Sequence, residues 1–440
     1  MKTVAFHNLG CKVNDYETDI MQQKFTENGF RIVPFSQKAD VYVINTCTVT
    51  NMADRKSRQM LHRAKALNPD SVVIATGCYV QTSPEEATKD KAVDIAIGNN
   101  KKSEIVSILN KYIEQNRPAE FSEIIDINHT SEYEQMFLTE TADRTRAYIK
   151  IQDGCNQFCS YCLIPFARGR VRSRDMDEIL KEIDGISKKG YSEIVLTGIH
   201  VSSYGITSPN DLSENRLGEL LEKIQELPNV KRIRLSSLEP RVVTEEFARK
   251  ISKLDKLCPH FHLSLQSGCN ETLKRMNRHY SAEQYLEGVN LLRKYFKDPA
   301  ITTDVIVGFP GETQEEFEES YEFAKKVSFY EMHIFKYSKR KGTVAEKLPN
   351  QVRDCDKDLR SDRMLELADN LSKEYRIRHL GTKAAVLFEE KKTIGQEEYY
   401  IGHTPEYVKV AVASEKNLCG KIIECSLTEM LGDEYIKAEC

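Results

Sequence analysis

No stretch of this 440-residue sequence approaches the ~18 consecutive apolar residues that a membrane-spanning helix needs, so no span is expected. The opening MKTVAFHNLGCKVNDYETD turns polar after an apolar run too short for a secretory leader, and the expected location is the cytoplasm. Charge of one sign is also missing: 63 Lys and Arg stand against 67 Asp and Glu, a formal charge of -4. Without a global basic field, any nucleic-acid contact has to come from local patches. Cysteine, at 12 residues, is too sparse for a disulfide-stapled scaffold. In a reducing compartment, clustered cysteines are then read as metal ligands or catalysts before bridges. Long-period repeats and low-complexity tracts are absent as well. What is there, with 40% hydrophobic residues, is a chain long enough for roughly two to four domains with proper cores.

The first third alternates strand and helix patterns. Short β-rich runs at 3–9, 41–46 and 72–76 are separated by helical stretches such as 15–28 and 52–66. That alternation predicts a parallel sheet flanked by helices. The expected division is an N-terminal domain over 1–115, a charged linker over 116–143, a central core over 144–375 and a C-terminal domain over 376–440. In the core, strand patterns at 147–151, 193–198, 232–237, 261–265, 302–308 and 332–337 alternate with helices at 177–189, 216–226, 244–253, 281–296 and 313–326. Six βα units in about 190 residues predict a partial barrel, with functional residues at the C-terminal ends of its strands. After a charged helix at 354–376, five short β runs in about 60 residues predict a small β-barrel. The expected class is α/β: a parallel αβ sheet, a partial (βα)6 barrel and a terminal β-barrel.

The segment GCNQFCSYC (154–162) carries Cys155, Cys159 and Cys162 at a spacing of C-x3-C-x2-C, and the next cysteine is Cys258. The bland alternative is a chance cluster of buried cysteines. A structural zinc site would use paired C-x2-C ligands or histidines, and the nearest following histidine, His200, lies in another βα unit. An iron–sulfur cubane fits better, because three thiolates leave one iron open at the end of the first barrel strand. Tyr161, just before Cys162, would pack against such a cluster.

With that aromatic, the motif resembles the radical S-adenosylmethionine (SAM) superfamily. The resemblance implies that the open iron binds the amino and carboxylate groups of SAM, whose reductive cleavage yields a 5′-deoxyadenosyl radical. DVIVGFPGET (304–313) is similar to that superfamily's strand whose Gly-Phe-Pro-Gly turn lies beside the adenine, which places Gly308 and Gly311 there. The resemblance also implies SAM contacts from Gly198, Glu239 and Gln266, with His200 and Ser267 beside them, all at strand ends.

Cys11, Cys47 and Cys78 match no local metal motif, yet each ends a predicted strand, in AFHNLGC, VYVINTC and VIATGC. In a parallel αβ sheet those ends share one edge, so the three would converge. Three independent buried cysteines are the bland alternative. The sharper one is a second cluster, again one ligand short. Two such trios and a terminal β-barrel resemble the methylthiotransferase family, in which the barrel is a TRAM substrate-recognition module. The resemblance implies two [4Fe-4S] clusters, one SAM as methyl donor and a second as radical source. It also implies a reducing system of the flavodoxin or ferredoxin kind.

NLGCKVNDYET (8–18) and IPFARGRVRSR (164–174) are similar to the branch acting on N6-threonylcarbamoyladenosine at position 37, in the tRNA anticodon stem-loop. The isopentenyladenosine-specific tRNA branch and the ribosomal-protein aspartate branch are the alternatives. Arg168, Arg170, Arg172 and Arg174 alternate, so an extended segment would aim all four at RNA phosphate. A solvated loop is the competing reading. The helix carrying Arg55, Lys56, Arg58, Arg63 and Lys65 is a second basic candidate. Arg275 and Arg278 are expected to neutralise a carboxylate, touch RNA or lie free at the surface. Residues 376–440 hold nine Lys and Arg against eleven Asp and Glu, so any basic face there would need Lys383, Lys391, Lys392 and Lys409 segregated on one side. A zinc-stabilised RNA-binding protein without enzymatic activity is the reading from a different class. Cys258, Cys269, Cys355, Cys419, Cys425 and Cys440 match no cluster motif.

Overall fold

The computed structural model describes residues 2–140, 145–206 and 215–440. Six strands, β1 (Thr3–Asn8), β2 (Arg31–Val33), β3 (Val41–Thr46), β4 (Val72–Gly77), β5 (Ile95–Ile97) and β6 (Phe121–Glu123), form an all-parallel sheet in the order β2-β1-β3-β4-β5-β6. Every residue of β3 and β4 is buried, as strands covered by helices on both faces must be. Met21, Phe25 and Leu109 pack on one side of the sheet, and Leu61, Ala64 and Tyr79 on the other.

The stretch expected as a linker is not free of either neighbour. It supplies β6 to the sheet edge, and its Met136 and Leu138 are buried in the central core. Apolar residues with a core within reach bury themselves rather than span solvent. The expected end of that linker and start of the core, at 143 and 144, lie outside the described residues.

In the centre, β7 (Arg146–Asp153), β8 (Arg172–Ser173), β9 (Glu193–Gly198) and β10 (Arg232–Leu235) form one sheet, with the short β8 antiparallel to β7. The strands β11 (His260–His262), β12 (Ala300–Val307) and β13 (Glu331–Lys336) form another. Isolated parallel bridges Ile233–Leu257 and Leu238–Leu263 join the two. Six parallel strands thus run β7-β9-β10-β11-β12-β13, the partial barrel that the alternation predicts. Ile183, Leu220, Val289 and Phe317 of the intervening helices pack in one core with Ile149, Leu196, Ile233 and Val305 of the strands. Capping boxes at Ser281/Gln284 and Thr313/Glu316 start two of those helices. The N-terminal helix Lys12–Glu27 also reaches this core, through Tyr16 and Ile20.

Beyond the long helix Asp354–Arg378, the strands β14 (Lys383–Ile394), β15 (Glu397–His403), β16 (Lys409–Val412), β17 (Ile422–Leu431) and β18 (Tyr435–Glu439) close a barrel in the order β14-β15-β16-β18-β17. Its Tyr407 plugs the N-terminal end of the central strands. The Tyr407 ring lies 5.1 Å from that of His260, with the guanidiniums of Arg146 and Arg234 at 5.1 and 4.7 Å from its centre. Cys425 and Cys440, which no cluster motif claims, are joined by a disulfide.

Candidate active site

β1, β3 and β4 are neighbours in the N-terminal sheet, and a cysteine follows each at its C-terminal end. Cys11 is the N-cap of the 16-residue helix Lys12–Glu27, Cys47 directly follows β3, and Cys78 opens the short helix Cys78–Thr82. A Cβ built on Gly10 would lie 3.1 Å from Cβ of Cys47 and 3.2 Å from its Sγ, so the first and second cysteine loops touch. Gly77 has φ +100°, and a Cβ there would come 2.5 Å from the carbonyl oxygen of Thr46. Only glycine lets β4 turn into its cysteine so close to β3. Burial pushes the Cys47 thiol up to about 12, with Cys78 and Cys11 adding to the shift. Cys11 keeps exposed surface, yet burial of its thiol raises its pKa too, against the opposing pull of Arg168. Cys11 and Cys47 are therefore harder to ionise than a free thiol, and binding a metal as thiolates would release their protons.

The second trio follows β7. Gly154 has φ +73° and sits under the chain, where a Cβ would lie 1.8 Å from the carbonyl oxygen of Arg170. The amide of Cys155 donates to Gly169 O at 3.0 Å, and that of Cys162 to Cys159 O at 2.9 Å. Arg278 Nη1 donates to Cys159 Sγ at 3.1 Å, and the Ile164 amide to Cys162 Sγ at 3.4 Å. Burial pushes the Cys155 thiol up to about 12, and Cys162 further, the neighbouring cysteines adding to both. Tyr161 turns its ring edge to Phe309, 6.2 Å away.

Between the trios runs the five-residue helix Ile164–Arg168. It corrects the expected arginine row. Arg168, Arg172 and Arg174 are buried, and of the four only Arg170 is exposed, stacked 4.5 Å over Phe158. Arg168 ends a helix and Arg172 starts β8, so the segment is never extended for long enough to align them. Arg168 donates to Cys78 Sγ at 3.4 Å, to Asn14 Oδ1 at 2.6 Å and to both oxygens of Glu17. Glu17 also binds Lys102 and Lys150, and these partners hold its carboxyl well below the usual range although burial alone would raise it. Arg172 donates to Arg168 O at 2.8 Å, and Arg174 pairs with Glu182.

The other expected residues fall in different surroundings. Glu239 is buried. Its Oε1 accepts from Arg241 Nε at 2.6 Å, whereas Oε2 has no partner. His200 bonds Ser203 Oγ through Nδ1 at 2.6 Å, leaves Nε2 unpartnered, and is pushed down to about 4 by burial. Glu239 lies close enough to act electrostatically on both Cys155 and His200. Gly198 packs on Gln152 of β7, and Gln266 takes a left-handed φ of +69° after β11. Gly308 and Gly311 face Lys357 and Arg275 instead of the pocket, and Phe309 between them reaches Tyr161. Arg275 pairs with Glu316. Lys383, Lys391 and Lys409 each pair with a glutamate, and Lys392 donates to Tyr435 Oη at 2.8 Å. The terminal barrel therefore segregates no free basic face at these four positions. On the helix Asn51–Leu67, Arg55, Lys56 and Arg63 are exposed while Ser57 is buried against Cys47.

Two groups escaped the sequence reading. Arg340 reaches across to the N-terminal unit, binding Thr48 Oγ1 and Asn51 Oδ1 at 2.6 Å and Asp54 at 2.7 Å, beside Cys47. No local pattern signals a contact nearly 300 residues apart. His262, Asp304 and His333 bring their ligand atoms within 4.8 Å of one another on adjacent strands. Ile306, on the same face of β12 as Asp304, packs against the cluster of Met276, Phe309, Tyr337 and Ala345 that Tyr161 also touches. Asp304 and His333 lie inside β12 and β13, so no strand-end position signals the set.

Neither cysteine trio meets that single-ion spacing among the described residues. The donor sets, three sulfurs each, fit clusters with one iron left open. The unpartnered Glu239 Oε2 and His200 Nε2 fit a polar ligand bound beside Cys155.

Comparison with known proteins gives the family. Residues 149–324 match the radical SAM superfamily and residues 3–98 the uncharacterized protein family UPF0004. The chain is 43% identical to threonylcarbamoyladenosine tRNA methylthiotransferase MtaB of Bacillus subtilis (strain 168), over 97% of this chain and 94% of that protein. It is 32% identical to the tRNA-2-methylthio-N(6)-dimethylallyladenosine synthase of Finegoldia magna, over 97% of this chain and 92% of that one. The radical SAM methyltransferase TsrM of Kitasatospora setae shares the fold, with a TM-score of 0.56 at 14% identity over 90% of this chain and 79% of that one. The chain belongs to the radical SAM methylthiotransferase family.

Proposed function

We propose that this enzyme methylthiolates C2 of N6-threonylcarbamoyladenosine at position 37 of tRNA, using two [4Fe-4S] clusters and SAM. The carrying observation is the pair of cysteine trios joined by the helix Ile164–Arg168, whose ends touch one sulfur of each. Five helical residues span only about 7.5 Å, so both trios serve one reaction space. On this reading Cys155, Cys159 and Cys162 hold the SAM cluster, and Cys11, Cys47 and Cys78 hold the auxiliary one. When bound, the clusters and SAM supply the electron, the radical, the sulfur and the methyl group. The chain's task is to hold them close together and keep water out.

On the same reading the unpartnered Glu239 Oε2 would accept from the SAM amino group, and Gly198, His200 and Gln266 follow the ends of neighbouring strands. A cleft of about 760 Å³ opens beside the trios, lined by Asn51, Arg58, Thr82, Leu163, Phe166, Arg340 and Lys341. Phe166 is 46% exposed there. The cations Arg58, Arg340 and Lys341 share the cleft with Asp54, Glu85 and Glu86, so its exposed aromatic suits stacking by an unstacked base more than a phosphate track. The anticodon stem-loop would enter by this cleft, with exposed Arg170, Arg55 and Lys56 near its rim, and residues 376–440 would act as a TRAM module. Support for the threonylcarbamoyl substrate comes from the relatives: those named for it reach 43% and 40% identity, against 32% and 33% for those named for dimethylallyladenosine. A flavodoxin or ferredoxin would reduce the clusters in the cytoplasm. No described helix is long and apolar enough to cross a membrane.

The test is nucleoside analysis of tRNA from a strain lacking the gene. Loss of 2-methylthio-N6-threonylcarbamoyladenosine, with its unmodified precursor accumulating, is expected. Unchanged levels with no second enzyme present would refute the assignment.

A further inference from the structure

Arg168 is the largest fully buried side chain of the protein's described residues, and its position is unusual in what it joins. Its Nε–H points at Cys78 Sγ at 3.4 Å. Asn99 Nδ2 approaches the same sulfur at 3.7 Å and donates to Ala167 O at 2.7 Å, fixing the end of the Arg168 helix against Cys78. The guanidinium is held by Asn14 at 2.6 Å and by Glu17, both on the helix capped by Cys11. Its carbonyl is held by Arg172 at 2.8 Å. The other end of its own helix donates to Cys162 Sγ. One short element thus places a permanent cation on a ligand of the N-terminal trio and ties that trio to the other.

We propose that Arg168 is a positioning residue that raises the reduction potential of the cluster held by Cys11, Cys47 and Cys78. The inference rests on the two-cluster reading above. Potentials of such clusters depend on hydrogen bonds to the sulfurs and on nearby charge. An added electron makes the cluster more negative, and a buried guanidinium on one thiolate stabilises that reduced form. Glu17 and Asp153, the latter 3.4 Å from Arg168 Nη1, offset part of the charge, but Lys102 and Lys150 share Glu17 with Arg168 and Lys150 also pairs with Asp153. Arg278 on Cys159 Sγ is the counterpart for the second trio, which makes the effect of each arginine specific to one cluster.

The experiment is a redox titration followed by electron paramagnetic resonance on the full chain carrying Cys155→Ala, Cys159→Ala and Cys162→Ala, so that only the N-terminal cluster reports. Adding Arg168→Gln should lower the midpoint enough to change the reduced-to-oxidised ratio at least tenfold at fixed potential, about 59 mV for one electron. In the reciprocal background, lacking Cys11, Cys47 and Cys78, Arg168→Gln should leave the midpoint unchanged while Arg278→Gln lowers it. If Arg168→Gln does not fold, Glu17→Gln with Arg168→Gln removes the donor at constant net charge and should shift the midpoint the same way. Four irons per chain with an unmoved midpoint would overturn this inference alone. Absence of iron in the first background would overturn the two-cluster reading and this inference with it.

Discussion

The two ends of the central strands have been built for opposite purposes. At the N-terminal end, Glu193 engages Arg234 at 2.8 and 3.2 Å, with Arg146 and Arg232 at 3.8 and 3.6 Å. Arg232 and Arg234 then donate to carbonyls of His403 and Pro405 in the terminal barrel. At the C-terminal end, Glu239 and His200 keep buried polar atoms without partners, Gln266 takes a left-handed backbone, and Cys155, Cys159 and Cys162 follow β7 as free thiols. Buried polar atoms are costly unless something binds them. One end spends its polar groups on holding units together, and the other keeps them in reserve for ligands. That division matches the general rule for barrels, in which the C-terminal face carries chemistry and the opposite face carries stability.

The sharpest way to break this comparison is at the cysteines. Cys159→Ala should abolish SAM cleavage, measured as 5′-deoxyadenosine, while leaving thermal stability of the cluster-free chain within about 1 kcal/mol of wild type. Cys47→Ala should keep SAM cleavage but release no methylthiolated nucleoside. Equal loss of both activities would count against separate roles for the two trios.

At the opposite end the order of effects should reverse. Glu193→Ala leaves three arginines without their shared carboxylate, and should cost about 3–5 kcal/mol of stability in chemical denaturation. SAM cleavage by the protein that stays folded should be near normal.

The acid side of the stability profile sharpens the point. Burial would raise Glu193, but Arg234, then Arg146 and Arg232, bring it from the ordinary 4.5 to about 2. A depressed folded-state value contributes stability that is fully present above 4.5 and lost as pH falls toward 2. Wild type should therefore lose stability over that window more steeply than Glu193→Gln, whose loss is already present at pH 7. Parallel acid profiles would contradict the assignment.

Gly154→Ala should give an intermediate result: folded chain, but clearly lower iron content, because a Cβ 1.8 Å from Arg170 O has to displace the cysteine loop. The smallest effect is expected on the terminal barrel. Lys391→Ala and Lys409→Ala remove exposed ion pairs worth at most about 1 kcal/mol, and tRNA affinity in a filter-binding assay should change less than about twofold.

How much of this could be read from the chain follows from how local each signal is. The C-x3-C-x2-C loop is legible because all its ligands fall within one turn after one strand. The dispersed trio is legible only through topology, since each cysteine ends a strand and parallel sheets bring such ends to one edge. The arginine row misled because side-chain alternation was assumed to mean strand. IPFARG carries Pro165 in the first turn and Gly169 just past the end, with φ +71°, which is the signature of a short helix. Arg340 and the His262–Asp304–His333 set depend on contacts between distant strands or units, and nothing nearby in sequence encodes them. The linker misled for a related reason: charge between its apolar residues hid Phe121, Met136 and Leu138, which the sheet edge and core take up.

The central claim is that two separate clusters sit at the functional end of the molecule. Its most direct test is iron and sulfide content of the anaerobically reconstituted chain, compared with the two triple-alanine variants. The account predicts about eight irons and eight sulfides in wild type and about four of each in either variant. Equal iron in wild type and in the variant lacking Cys11, Cys47 and Cys78 would contradict it.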